Sequence, residues 1–355
     1  MPYWAWLVPV LALGTLVIAL IFGVGLWLAL LCGASLGAAV FVAVHHAEVV
    51  AHRVGEPFGT LVLALAVTAI ETALILSMMV AGGDDMAVLP RDAIFAAVMI
   101  ICTGIVGFCL LMGGLAHGEQ TFRVEGSGSG LAALMVMASL CLVLPAFTTS
   151  APGGAYSKPQ LAFVALASIT LWAVFIFVQT VRHRDYFIPA TNASDHAVHA
   201  DPPTTAKAWT SFGLLLLSLV TVVGLAKMLS PTIERAVEVA NAPRAVVGIV
   251  IAGLVLLPET CAAVRAARAN RLQTSMNLAI GSGLASIGLT VPLVVLAAIM
   301  FKLPLILGLS PKEMALLAVT FVTSTVTLGT GRTHVMHGAV HLVLFVAYLF
   351  LAFVP

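Results

Sequence analysis

Runs of about 20 apolar residues, each closed by a short polar break, succeed one another along almost the whole chain. A helix needs about that length to cross ~30 Å of hydrocarbon, whereas a membrane barrel reads as short alternating segments. The runs predict eleven spans, at residues 4–22, 24–44, 59–81, 93–115, 130–149, 160–181, 209–229, 245–267, 274–300, 312–329 and 336–354. The expected fold class is an all-α polytopic membrane protein. The one long polar stretch, residues 182–208, begins Arg182-His183-Arg184-Asp185 and contains Pro202-Pro203. It divides the chain into a leading helix (1–23), a first five-helix segment (24–181), the linker (182–208) and a second five-helix segment (209–355). Five is odd, so two related halves would enter the bilayer in opposite senses, as inverted repeats do.

Composition supports this reading. The 355 residues include only 16 Lys+Arg and 15 Asp+Glu, 9% charged, against about 25% in a soluble domain. With 61% apolar residues and a mean hydropathy of +1.12, a soluble enzyme, a disordered chain and a disulfide scaffold are excluded. The net charge of +1 gives no reason to expect a nucleic-acid partner. Cys32, Cys102, Cys109, Cys141 and Cys261 all fall inside predicted spans and read as packing residues. No Lys or Arg precedes Arg53, which argues against a cleaved signal peptide with a basic start. Loops after the even-numbered spans hold nine of the 16 basic residues, Arg182, Arg184 and the Arg265–Arg271 cluster among them. The positive-inside rule then expects a cytoplasmic N-terminus and an external C-terminus.

Two carboxylates break the pattern. Glu71 is the only ionisable residue between Pro57 and Asp84, and Glu259 the only strongly ionisable one between Arg244 and Arg265. An acid at the centre of an inserted helix costs on the order of 2.5–3.5 kcal/mol. Both lie in the second span of a half, as Glu71-Thr72-Ala73 and Glu259-Thr260-Cys261. One reading is a protonated acid hydrogen-bonded between helices. The other is a midplane site for a cation and for protons, because desolvation favours the protonated form of a carboxylate and a bound cation the ionised one. Protons and cations then compete for the same oxygens. Pro258 removes a backbone donor beside Glu259, which predicts an interrupted helix there. Hard cations such as calcium take six to eight oxygens. Thr68, Thr72, Thr260, Asn277 and Ser282 are candidate auxiliary ligands, with helix packing as their alternative role.

At these residues the chain resembles the Cha-type calcium (sodium/potassium)–proton antiporters of the cation/calcium exchanger superfamily. The resemblance rests on Val50-Ala51-His52-Arg53-Val54-Gly55-Glu56-Pro57-Phe58-Gly59-Thr60-Leu61 leading into Glu71. It continues through Leu257-Pro258-Glu259-Thr260, Arg265–Gln273 and Asn277-Leu278-Ala279-Ile280-Gly281-Ser282-Gly283. Gly288-Leu289-Thr290-Val291-Pro292, Gly329-Thr330-Gly331-Arg332-Thr333 and Gly338-Ala339-Val340-His341-Leu342 complete it. It implies one leading helix plus two inverted five-helix repeats, Glu71 and Glu259 as the exchanging acids and cation ligands, and Asn277 and Ser282 in the second repeat's site. It implies an inner-membrane secondary antiporter that works by alternating access. Calcium is the first expectation and sodium or potassium the alternative, with no cofactor beyond the transported ions. The partners are the lipid bilayer, cations and protons, and a homo-oligomer stays open. The chain departs from the superfamily in the third helix of the first repeat, where Ala96–Gly104 offers only Thr103 as a polar candidate.

His45, Glu48 and His52 share a helical face, as do His334, His337 and His341, so either set is a conceivable metal site and more simply a row of interfacial residues. His183, His196, His199, Asp185, Asp195 and Asp201 in the linker read as a solvated segment, with pH sensing or calcium binding as the alternative. Thr320, Thr323, Ser324 and Thr327 form a stripe that suits helix packing or a watery passage. Gly33-Ala34-Ser35-Leu36-Gly37 fits a nucleophile pattern but reads as a packing face inside an apolar span. No H-E-x-x-H or Walker A sequence occurs, so an ion gradient is the expected driving force, and the chain is not expected to be an enzyme. A passive channel remains the other transport class.

Overall fold

The computed structural model describes residues 2–55, 58–188, 203–239, 243 and 245–354. Its helices are α1 (Tyr3–Phe22), α2 (Leu26–Val54), α3 (Phe58–Gly82), α4 (Leu89–Met99), α5 (Val106–His117), α6 (Val124–Ala138), α7 (Lys158–Phe177), α8 (Thr205–Val239), α9 (Ala245–Arg268), α10 (Leu272–Phe301), α11 (Pro311–Leu328) and α12 (Val335–Phe353). A π-helical segment, Ile100–Ile105, joins α4 and α5 into one rod, so each expected span falls on one rod. Among the described residues, ten rods are long and apolar enough to cross a membrane by length and composition. The eleventh, α11, has 18 residues and starts Pro311-Lys312-Glu313. Two-residue strands β1 (Gln120–Thr121) and β2 (Arg332–Thr333) pair antiparallel and tie the loop after α5 to the loop after α11.

Helix ends follow local chemistry. Gly23 and Gly55 stop α1 and α2 at φ 73 and 77, a conformation that costs glycine little. Ser157 with Gln160 and Ser310 with Glu313 form capping boxes at α7 and α11, each with proline in the first turn. In the loop before α7, Tyr156 donates to the Leu140 carbonyl (2.7 Å), and burial pushes its phenol up to about 12.

Two expectations about helix extent need correction. The second span was expected to end at residue 44, but α2 continues through His45, His46, Glu48 and His52 to Val54. Polar residues at an interface end the hydropathy signal, not the hydrogen-bond ladder. Pro258 was expected to interrupt its helix, but α9 runs through it. By position, the missing N–H leaves the Leu254 carbonyl without its usual helical donor.

Burial separates centre from rim. In the rod Leu89–His117, 89% of the apolar stretch is buried, and in α10 67%, against 28% in Lys158–Arg182 and 17% in α12. The first two form the middle, and exposed side chains such as Trp27, Phe163 and Val343 mark outward faces suited to lipid. The packing is reciprocal: α3 lies on α10 while α9 lies on α4, α7 lies on α10 while α12 lies on α5, and α2 runs along α8. Two glycines allow the matching approaches. A Cβ on Gly288 of α10 would stand 2.5 Å from Trp172 Cβ of α7, and one on Gly338 of α12 would strike the Leu111 backbone nitrogen of α5. Ser35 donates to Thr15 Oγ1 (3.2 Å), so the G-x-S-x-G stretch packs α2 on α1.

Candidate functional site

Glu71 sits in the middle of α3 and is 4% exposed. Its Oε1 accepts from Ser286 Oγ at 2.6 Å and its Oε2 from Thr290 Oγ1 at 3.0 Å. Both hydroxyls belong to α10, one turn apart, so the α3–α10 contact fixes the carboxyl group. A hydroxyl can donate to a carboxylate and accept from a carboxylic acid, so this cradle suits either protonation state. On α9, the Oε2 of Glu259 is buried and has no hydrogen-bond partner among the described residues. α9 packs against α10 and against the rod that begins with α4 and continues as the apolar segment Ile100–Ile105.

Both acids line one cavity of about 510 Å³. Its polar wall includes Thr68 of α3, Gln179 and Thr180 just beyond α7, Arg184, and Thr274, Asn277, Ser282 and Ser286 of α10. Trp172, Ile176 and Phe187 supply apolar wall. The residues contributed by α7 and α10 place the cavity toward the end of the bundle where α7 and α9 finish and α10 begins.

Five expected residues therefore meet at this cavity: Glu71, Glu259, Thr68, Asn277 and Ser282. Asn277 is partly committed elsewhere. Its amide donates to the Phe187 carbonyl (2.7 Å) and its Oδ1 accepts from Gln273 (2.9 Å), which fastens the start of the polar linker to α10. Three expected auxiliary ligands, Thr72, Thr103 and Thr260, do not line this cavity. Thr260 donates to the Leu256 carbonyl (2.7 Å). Thr103, fully buried in the π-helical segment, donates to the Met99 carbonyl. Thr72 has a buried hydroxyl without a partner. The residue after an acid on a helix is turned about 100° away from it, so sequence adjacency to Glu71 or Glu259 does not bring a side chain to the same face.

Sequence reasoning missed Ser286 and Thr290. The signal was present: positions 282, 286 and 290 recur every fourth residue on one face of α10. Arg184, Gln179 and Thr180 carried no such signal, since only the fold brings the end of α7 to the site.

The remaining candidates do different work. His341 is fully buried, with Nδ1 bonded to the Cys102 carbonyl and Nε2 to Thr327 Oγ1, each at 2.7 Å. His46 bonds the Ala5 carbonyl (2.9 Å) and His334 caps α12. Among the described residues, no three His, Cys, Asp or Glu side chains come close enough together to hold a metal ion. Neither histidine set therefore forms the triad that the sequence allowed. Thr320 contacts the Met99 sulfur (3.5 Å) and Thr327 contacts His341, so most of that stripe packs between helices. Glu56, Asp195, His196, His199 and Asp201 lie outside the described residues.

The sequence pattern of the family described as sodium/calcium exchanger protein matches residues 10–181 and 210–354. The chain is 44% identical over 369 residues to y4hA of Sinorhizobium fredii (strain NBRC 101917 / NGR234), a match covering 100% of this chain and 97% of that one. It is 37% identical over 316 residues to the sodium-potassium/proton antiporter ChaA of Escherichia coli (strain K12), covering 88% and 85%. Its fold resembles the crystal structure of an H+/Ca2+ exchanger, CAX, with a TM-score of 0.72 at 16% identity, covering 98% of this chain and 87% of that one.

Proposed function

The chain belongs to the sodium/calcium exchanger family, and from that premise we propose a cycle of cation–proton antiport in which both ligands use Glu71 and Glu259. The observation that carries this reading is the shared cavity: two mid-span acids, far apart in sequence, line one chamber. A cation bound between them favours their ionised forms, and protons entering the chamber favour its release. The Ser286 and Thr290 hydroxyls hold Glu71 in place through both stages.

The two five-helix segments, 24–181 and 209–355, act as inverted repeats behind the leading helix 1–23, with 182–208 as the linker. Reciprocal packing of α3 on α10 and α9 on α4 supports this division. The cavity lies toward the end of the bundle that carries the excess of basic loops, so it faces the cytoplasm of a cell whose inner membrane holds the protein.

Calcium is the cargo that two carboxylates with surrounding hydroxyl and amide oxygens suit best. Sodium or potassium is the second reading, supported by the 37% identity to an antiporter described as sodium-potassium/proton. Purified protein in proteoliposomes, with a pH-sensitive dye inside, tests both. Addition of the true cargo moves protons the opposite way, and Glu71→Gln and Glu259→Gln each abolish the response. Intact exchange in both variants rules out this mechanism.

A further inference from the structure

At the opposite end of the bundle lies a second cavity, of about 270 Å³, where α4, α9 and α11 begin and α12 ends. Its charged lining is Arg91, Asp92, Lys312 and Glu313. Asp92 is 5% exposed, and its Oδ1 takes two contacts from Arg91, at 2.8 Å from Nε and 2.7 Å from a terminal nitrogen. Arg91 also donates to the Gly308 carbonyl (3.2 Å), Lys312 donates to the Leu351 carbonyl (2.9 Å), and Glu313 caps α11. Phe95 of α4 meets Tyr348 of α12 edge to face at 5.5 Å. Beside them α9 is pressed onto α4, since a Cβ on Gly248 would stand 2.7 Å from the Asp92 carbonyl carbon.

The position of this cavity has a meaning if the halves are inverted repeats. Exchanging α3 with α9, α10 with α4–α5, and α7 with α12 turns the walls of the first cavity into α9, α4, α12 and α3. The second cavity has three of those four walls, α4, α9 and α12. Toward the bundle centre the α4 rod continues as Ala93–Ile101, every residue of which is buried. An apolar stretch of that kind blocks an ion.

We propose that the second cavity is the opposite-side half of the cation route, shut in this conformation. Asp92 is the carboxylate that a cation meets from that side. Arg91 occupies it while the route is shut, and the Phe95–Tyr348 contact is the apolar bar beneath. Opening separates α12 from α4 and from α9, which is pressed onto α4, and lets a hydrated cation replace the guanidinium at Asp92. The assignment rests on the antiport reading, so its test begins from a protein already shown to exchange.

In a Cys261→Ser background, which removes the exposed cysteine and leaves the four buried ones, Ala245→Cys and Leu351→Cys are combined across the cavity. A bifunctional maleimide then joins α9 to α12. Exchange is expected to fall below about a tenth of the untreated rate, while each single-cysteine protein under the same reagent keeps most of its rate. Full exchange by the joined protein overturns the proposal. Asp92→Asn is expected to raise the half-saturating cation concentration about tenfold on that face alone, equivalent to one lost charged contact, and Asp92→Glu to restore it. A change of the same size on both faces in Asp92→Asn, or no change on either, also overturns the proposal. Failure of the background protein itself to exchange any cation for protons counts against the antiport reading instead.

Discussion

Glu71 and Glu259 occupy matching places in the two halves, yet their surroundings are opposite in kind. Glu71 has a hydroxyl on each oxygen. Glu259 lines the same cavity but has a buried oxygen with no partner among the described residues, and its helix packs on the apolar rod that starts with α4 as well as on α10. The difference follows from composition one helix away: α10 carries Ser282, Ser286 and Thr290 on one face, while the facing part of the other half reads Ile100-Ile101-Cys102-Thr103-Gly104-Ile105. An unsatisfied buried polar group costs about 1–3 kcal/mol. In the proposed cycle a proton or a cation at Glu259 relieves such a cost, whereas Glu71 already has its partners. In that cycle Glu71 is thus the fixed half of the site, and Glu259 the half that its ligand completes.

The largest effect expected from this contrast is on exchange itself. Glu71→Gln and Glu259→Gln should each cut proton-coupled cation flux by about a hundredfold or more, because an amide neither binds a transported proton nor neutralises the cation. A variant with only a small loss would show that its acid is not an exchanging group.

Stability should separate the two acids next. Glu71→Ala leaves Ser286 and Thr290 without partners and should lower stability by about 1–3 kcal/mol. Glu259→Ala removes an orphaned group and should leave stability unchanged or higher. Thermal unfolding in detergent reads the difference, and equal losses would erase the contrast. Removing the cradle while keeping the acid, with Ser286→Ala and Thr290→Val together, should raise the half-saturating cation concentration about tenfold, the worth of one to two hydrogen bonds. The smallest effects belong to hydroxyls beside the acids in sequence but off the cavity. Thr103→Val and Thr260→Val should change half-saturation by less than about twofold, since each hydroxyl already bonds its own helix. A tenfold change in either would return that residue to the site.

These hydroxyls also mark where sequence reading succeeds and where it stops. The spans were legible because burial in lipid imposes an uninterrupted apolar length. Glu71 and Glu259 were legible because an acid stands out against that background. Ser282, expected from the sequence, lines the cavity, whereas Ser286 and Thr290, which hold Glu71, were not foreseen. Choosing Thr72 and Thr260 for nearness in sequence ignored the 100° rotation between neighbours on a helix, and the four-residue recurrence of Ser282, Ser286 and Thr290 was the better guide. Arg184 and Gln179 could not be foreseen, because their place at the cavity depends on how α7 leans on α10. The break expected at Pro258 did not form, since one missing donor removes a single bond from a ladder that the rest of α9 maintains.

The central claim is that protons and the cation compete for both acids. Cation binding to purified protein, measured by calorimetry at successive pH values, tests it most directly. With two competing acids, the apparent affinity should weaken as pH falls, approaching about two decades per pH unit where both take up protons, and about one in Glu71→Gln or Glu259→Gln. An affinity that does not change with pH in the unsubstituted protein, or the same pH dependence in all three proteins, would contradict the account.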